Sequence, residues 1–388
     1  MKTKTTCNIC SKEDLIELIN MPKMPLTGLF LNEKNLDDSL FDQAFNYCKH
    51  CGHGQLKNVL PQEVIYDDSY DHRTSKSQMS RSCNEFFLKT INSVTGDKIF
   101  KQALEIGCND LFLINELASK AKNLVGIDPI WKDKDFIVDE KISIYGKFIN
   151  ELDESFFPHR PDLIVSSHTF EHIDEIYEQF VKLVDLAADD CMFFIEVPSL
   201  DMTIKNRRFD HIFHQHLQYF SYSSMKYLVD RLGCEFIGSK YNYSLWGGTL
   251  SFWFKKNNCA SNEKLNIKPI PEKIISDNFN TFKKSLQESL KQLLSYEEKV
   301  IGLGAAQMLP TIGYHMESNL DFICKIYDDD EDRIDKYLPY ISPQIQKFTS
   351  DDISDSIILI TALDSTKPLL RKILAHEPRR IFTLTNVI

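Results

Sequence analysis

The 388-residue sequence predicts an α/β protein with two Rossmann-like domains behind a small metal-binding module at the N-terminus. Two close cysteine pairs open the chain, and strand–glycine turn–helix units start near residues 103 and 299. From about 101 to 256, short apolar runs alternate with helical patterns, the signature of a parallel sheet with crossover helices.

The length suits two or three domains, and 43% hydrophobic with 26% charged residues is the balance of a globular protein with a sizeable core. A net charge of −11 argues against broad contact with nucleic acid, which needs basic residues to displace counterions. The densest basic run, Lys205-Asn206-Arg207-Arg208, reads as a solvated loop. No apolar run reaches the roughly 18 residues of a membrane span. The polar N-terminus lacks the apolar core of a signal peptide, so the expectation is a cytoplasmic protein with reduced cysteines.

Cys7-Asn8-Ile9-Cys10 and Cys48-Lys49-His50-Cys51 are two C-x-x-C knuckles. Each aims two thiolates at one ion, and together they complete a closed tetrahedral zinc site, which is structural. The six other cysteines show no ligand spacing and read as core or incidental thiols.

Ala103-Leu104-Glu105-Ile106-Gly107-Cys108-Asn109-Asp110 reads as a buried strand and a tight turn, with a helical pattern from Leu111 to Ala121. Ligands of doubly wound sheets bind outside the carboxyl ends of such strands. Gly107 lets the backbone approach a ligand, and Asn109 lies in the same turn. The G-x-G-x-x-G pattern of a pyrophosphate cradle is missing. An acidic Glu105 would repel phosphates but suit a sulfonium and amino group, which favours S-adenosylmethionine over a dinucleotide. Asp128, ending the next strand, is placed to accept ribose hydroxyls.

The run from Asp162 to Ile173 reads as a fourth strand and the start of its helix, placing His168 and Phe170 beside the donor, with His172 packed at the helix start. Met192 to Pro198 is the fifth strand, whose Glu196 would face the acceptor. His211, His214 and His216 follow within six residues, and histidine is the natural general base near neutral pH. No suitably spaced carboxylate completes a metal site with them. Ser221 would cap a helix from Tyr222 to Leu232. Lys299 to Gln307, followed by a strand ending at Asp328, looks like a dinucleotide fingerprint that lacks its third glycine.

Together the paired knuckles, E-I-G-x-N-D, E-V-P followed by H-x-H-x-x-Y-F-S, the Gly247-Gly248 turn and the C-terminal G-x-G-A unit resemble the zinc-containing, three-domain sugar C-methyltransferases that act on nucleotide-linked deoxysugars. The resemblance covers nearly the whole chain. It implies a class I methyltransferase Rossmann-like domain at residues 76–258, behind a zinc module and connector at 1–75. A helical linker at 259–298 and a second Rossmann-like domain at 299–388 would follow, the latter closing over the nucleotide part of the acceptor. It also implies S-adenosylmethionine, structural zinc and a small sugar or nucleotide-sugar acceptor; composition and apolar run length add the expectation of no nucleic-acid or membrane partner, and a monomer is the working expectation.

His216 matches the base of the family's Tyr-His-Glu-His element, with His214 and Gln215 beside it. Tyr70 matches an aromatic acid/base group, and His72 stands where a second is common. The sequence departs from the pattern at three places. Leu111 replaces a glycine, Phe213 replaces the tyrosine, and Gln215 replaces the glutamate, losing a charge that would raise the neighbouring histidine's pKa. Transfer to carbon needs a base beside a carbonyl, whereas transfer to a hydroxyl asks less of the protein. The rival expectations are an RNA methyltransferase with a zinc ribbon, a non-catalytic binding protein on a decayed methyltransferase fold, and a dinucleotide oxidoreductase.

Overall fold

The computed structural model describes residues 1–65, 75, 77–243, 247–257 and 267–384. At the N-terminus, β1 (Leu15–Pro25), β2 (Leu40–Cys48) and β3 (Gly54–Leu56) form an antiparallel sheet beside the cysteine knuckles. The connector then enters α1 (Gln78–Thr95), whose N-cap Ser77 accepts a hydrogen bond from the Ser80 N–H.

The central sheet begins with β4 (Phe100–Ile106), β5 (Ala121–Ile127), β6 (Phe136–Ile137) and β7 (Ile142–Tyr145). It continues with β8 (Leu163–Ser167), followed by α2 (Ile176–Leu186), and with β9 (Met192–Pro198). Next, β10 (Gln218–Tyr219) leaves this sheet and pairs with β3, so the histidine segment is tied to the N-terminal sheet. Ser221 caps α3 (Tyr222–Arg231) through a capping box, as the sequence predicts, and β11 (Cys234–Asn242) and β12 (Thr249–Lys256) close the sheet.

The strand order is β11-β12-β9-β8-β4-β5-β7-β6. The strands from β9 to β7 run parallel, and β12 is antiparallel to β9. This is the class I methyltransferase arrangement, with the chain reversing direction across the sheet between β4 and β8, where a crevice opens at the carboxyl ends. The strands are buried on both faces and read as continuous apolar runs, as parallel sheets require.

The helical pattern predicted from Leu111 to Ala121 is shorter in the structure. An α-helix spans Phe112–Glu116, a 3-10 turn spans Leu117–Ser119, and Ala121 already opens β5. The stretch predicted as a helical linker contains α4 (Glu272–Leu294), which is packed rather than free. Its Ile275, Phe282 and Leu286 share one apolar cluster with Met24 and Phe45 of the N-terminal sheet, with Phe209 and Phe213, and with Ile312 and Ile326 beyond it.

The last sheet is made of β13 (Val300–Leu303), β14 (Ile323–Asp328), β15 (Ile345–Lys347), β16 (Ile357–Ile360) and β17 (Arg380–Thr383). All five are parallel, in the order β15-β14-β13-β16-β17, with α5 (Leu309–Met316) and α6 (Thr366–Leu374) as crossovers. This is the second Rossmann-like unit. Among the described residues no helix is long and apolar enough to cross a membrane.

Candidate active site and zinc module

Cys7, Cys10, Cys48 and Cys51 are buried and unoxidised, with their sulfur atoms within 4.8 Å of one another. The closer pairs are Cys7–Cys51 at 3.6 Å and Cys10–Cys48 at 3.5 Å. The Ile9 N–H donates to Cys7 Sγ at 3.4 Å, the local turn a knuckle makes around its sulfur. Four thiols converging without a disulfide fit zinc with no position left open. Arg231 of α3 ties this module to the central domain: its guanidinium donates to the Ile9 carbonyl and lies 3.5 Å from the Tyr177 ring centroid.

A cavity of about 1240 Å³ opens at the switch point. It runs from Gly107 and Asp128 past His216 to Gly304 and Asp364, so the N-terminal connector, central sheet and last sheet share it. That volume exceeds the usual space of one ligand.

At its β4 end, Gly107 has φ +76°, and a Cβ there would run into the Thr169 hydroxyl. Only glycine fits this turn. Asp128 closes it: Oδ2 accepts the Asn109 N–H at 2.9 Å and Oδ1 accepts the Ile130 N–H at 3.0 Å. Trp131 Nε1 donates to the Asn109 carbonyl at 2.8 Å. Asn109, Asp128 and His168 line the cavity.

Two expected donor residues are placed differently. Phe170 is fully buried and stacks on Phe180 at 4.3 Å between centroids, because the turn after β8 rotates it into the core. Glu105 lies beneath the turn, buried, with no hydrogen-bond partner on Oε2. Burial first, then Asp128 and Asp110, hold its carboxyl well above the ordinary range. Sequence reasoning missed the apolar pair flanking Asp128: Ile130 and Phe148 line the cavity while 37% and 44% exposed.

Deeper in, His216 packs on Phe213, with ring centroids 4.1 Å apart, and against His172 at 4.9 Å. Burial first, then His172, His211 and His168, lower its pKa well below the ordinary 6.5. The 3-10 turn Phe170–His172 is docked onto this segment twice. The Leu217 N–H donates to the Glu171 carbonyl at 2.7 Å, and His172 Nδ1 bonds the Gln215 carbonyl at 2.9 Å. His172, predicted to be packing, thus joins His216 at the cavity wall. Gln215 also lines the cavity and is held by the Thr27 carbonyl at 3.4 Å.

His214 is a correction. It is buried in the opposite direction, between Gln43 Nε2 at 3.3 Å and the Met24 carbonyl at 3.1 Å, and ties its segment to β1 and β2. Glu196 is also a correction: it is fully buried in the sheet instead of facing the cavity. Tyr70 and His72 lie outside the described residues.

The basic run is only partly a solvated loop. Arg208 is 8% exposed and lines the cavity, bonded to Asp210 at 2.9 and 2.7 Å and to Asp364 at 2.8 and 3.1 Å. No local pattern signals this pairing, because Asp364 is 156 residues away. The fingerprint at β13 is closed on itself. Asp328 accepts the Ala305 N–H at 2.6 Å and the Asp330 N–H at 2.9 Å, and α5 starts only at Leu309. Gly304, Ala306 and Gln307 of this turn line the cavity, so the unit forms one of its walls.

Fold and cavity define a methyltransferase domain of the class I, S-adenosylmethionine-binding kind behind a zinc module. Residues 7–66 match the family model described as "Putative zinc binding domain", and residues 72–238 match "Methyltransferase domain". The chain is 26% identical over 240 residues to C-methyltransferase NovU of Streptomyces niveus, covering 60% of this chain and 56% of that protein. It thus spans little more than half the length of that curated relative. Similar solved structures include N-methyltransferase NodS from Bradyrhizobium japonicum WM9 with S-adenosyl-L-homocysteine, at 15% identity and TM-score 0.38 over 50% of this chain and 95% of that one. Magnesium protoporphyrin IX methyltransferase from Synechocystis PCC 6803 matches at 10% identity and TM-score 0.37, covering 50% and 91%.

Proposed function

We propose that the protein is an S-adenosylmethionine-dependent methyltransferase that acts on a sugar, most simply a nucleotide-linked one. The observation that carries this reading is the single cavity joining Gly107 and Asp128 to His216 and on to the last sheet. It has room for a donor and an acceptor together. The donor's ribose would lie on Asp128 and its adenine between Ile130 and Phe148, whose exposure suits an apolar ring. The acceptor would lie between His216 and the β13 and β16 ends, and the likeness to a C-methyltransferase supports a carbon acceptor.

In this reading His216 takes the acceptor proton. Its depressed pKa keeps the imidazole neutral, with a lone pair available, at physiological pH. His172 and Gln215 orient it, and Tyr70 or His72 would assist. The positive sulfonium makes the donor reactive, so holding methyl and acceptor in line provides much of the rate. Phe213 in place of a tyrosine removes one hydroxyl, which keeps transfer to a sugar oxygen as the second reading.

The test uses labelled S-adenosylmethionine and a panel of nucleotide-linked keto-sugars. We expect transfer to a carbon beside the carbonyl, and donor-independent deuterium exchange at that carbon. His216→Ala should lower kcat by about 10²–10⁴ while calorimetric binding of S-adenosylhomocysteine is retained. The acidic limb of kcat should lie below 6.5, the ordinary histidine value. Transfer without carbon exchange would move the reading to oxygen, and failure to bind the cofactor product would sink it.

A further inference from the structure

Beneath the cavity wall a second set of metal-type donors converges, with no sequence spacing to announce it. Cys83 comes from α1, His168 from the residue after β8, and Glu196 from β9. Cys83 Sγ lies 3.1 Å from Glu196 Oε1 and 3.4 Å from His168 Nε2, and the last two atoms are 3.6 Å apart. Zinc bonds of about 2.3 Å to sulfur and about 2.0–2.2 Å to nitrogen or oxygen put tetrahedral ligand atoms roughly 3.3–3.6 Å apart. The triad therefore has nearly the spacing of a tetrahedral face. In the four-cysteine site the nearest sulfurs stand at a similar 3.5 and 3.6 Å.

The surroundings of each donor point the same way. A histidine that binds a metal through one nitrogen characteristically donates its other N–H to a carboxylate, which fixes ring and tautomer. Here His168 Nδ1 faces Glu171 Oε1 at 3.3 Å, and Glu171 is itself buried. A ligating carboxylate is likewise held through its second oxygen, and Glu196 Oε2 accepts the Ser251 hydroxyl at 2.5 Å. That hydroxyl is in register: Ser251 of β12 pairs directly with Glu196. The His168 N–H donates to the Glu196 carbonyl at 2.9 Å, so backbone as well as side chain locks the pair. His168 also adopts a left-handed φ of +53°, a conformation a non-glycine residue holds only when its surroundings enforce it.

We infer that Cys83, His168 and Glu196 bind a second divalent cation of the zinc class through Sγ, Nε2 and Oε1, apart from the four-cysteine site. The ion pins α1 to the ends of β8 and β9. Ser77, Ser80 and Asn84 of that helix start line the cavity, so the metal fixes one of its walls. Three protein ligands leave one tetrahedral position for water or another oxygen donor.

The test is metal content of the full chain after dialysis against excess zinc and removal of loosely held ions. Two zinc ions per chain are expected in the wild type and one in Cys83→Ala. One ion per chain in the wild type overturns the inference, as does a second ion that survives in Cys83→Ala. Should Cys83→Ala not fold, anomalous diffraction at the zinc edge from wild-type crystals decides. A peak among Cys83, His168 and Glu196 supports the site, and density for a bare hydrogen-bonded cluster removes it.

Discussion

Arg208 reaches from the segment after β9 to Asp364 of the last sheet, with Nη1 and Nη2 on the two carboxylate oxygens at 2.8 and 3.1 Å. The same guanidinium holds Asp210 through Nε and Nη2 and donates to His211 Nε2 at 2.8 Å. Burial alone would raise the Asp364 carboxyl; Arg208 first and His211 next outweigh it and hold it far below the usual range. This cluster is the polar counterpart of the apolar contacts that join the last sheet to the central domain. Arg208→Met leaves the buried Asp210 and the half-buried Asp364 carboxylates without their cation and should cost about 3 kcal/mol of stability. Its neighbour Arg207, exposed and bonded to Asn278 at 3.1 Å, should change stability by no more than about 0.5 kcal/mol when replaced by alanine. Denaturant midpoints compare the two, and equal losses would refute the assignment.

Leu111 stands where the resembling enzymes have glycine, and the structure gives the reason for the glycine: φ is +69° and ψ +14°. A left-handed conformation costs a side chain roughly 1–2 kcal/mol. Leu111 is half-buried against the Leu113 and Leu117 cluster, and that packing offsets the strain. Comparing Leu111→Gly with Leu111→Ala separates the two effects, since both lose the packing and only alanine keeps the strain. The glycine variant should be more stable by about 1 kcal/mol. An alanine variant as stable as the glycine one would show that the turn relaxes.

How far the sequence could be read depends on the range of each interaction. The knuckles Cys7–Cys10 and Cys48–Cys51, the turn at Gly107, the acid at Asp128 and the cap at Ser221 each depend on neighbours in the chain, and local pattern is enough to find them. His214 and His216 show where pattern stops. They are two residues apart in an irregular segment, and the contacts of Gln43 and Met24 draw one of them away from the cavity. Arg208–Asp364 and Cys83–His168–Glu196 join residues from separate elements, so no window of sequence contains them. Phe170 failed for a related reason: the turn after β8 is 3-10, so the expected helical facing does not apply.

Glu105 makes the ligand-free protein pH-sensitive in a direction opposite to ordinary acid denaturation. Its folded pKa is raised above the ordinary 4.5, so its contribution to stability is complete below 4.5 and is lost as pH rises through the folded value. Glu105→Gln removes that loss while keeping the shape of the side chain. The variant should gain thermal stability over the wild type as pH is raised from 4.5 to 8, with the gap widening with pH. Melting curves without cofactor measure it, and a gap that stays constant would mean Glu105 is ionised in the folded chain.

His315 works in the other direction. It is buried among Phe279, Phe282 and Tyr314, its Nε2 has no partner, and burial lowers its pKa to about 4. Between 4 and 6.5 the unfolded chain binds a proton that the folded chain refuses, so stability falls as pH drops through that window. The slope from this one residue is at most about 1.4 kcal/mol per pH unit. His315→Leu replaces the ring by an apolar side chain of similar size and removes an unsatisfied buried nitrogen. Near pH 7.5 the variant should match or exceed the wild type, and at pH 5 its relative stability should be about 2 kcal/mol higher than at pH 7.5. Denaturant unfolding at the two pH values gives that difference directly. An unchanged gap would show that His315 takes up its proton alike in the folded and unfolded chains.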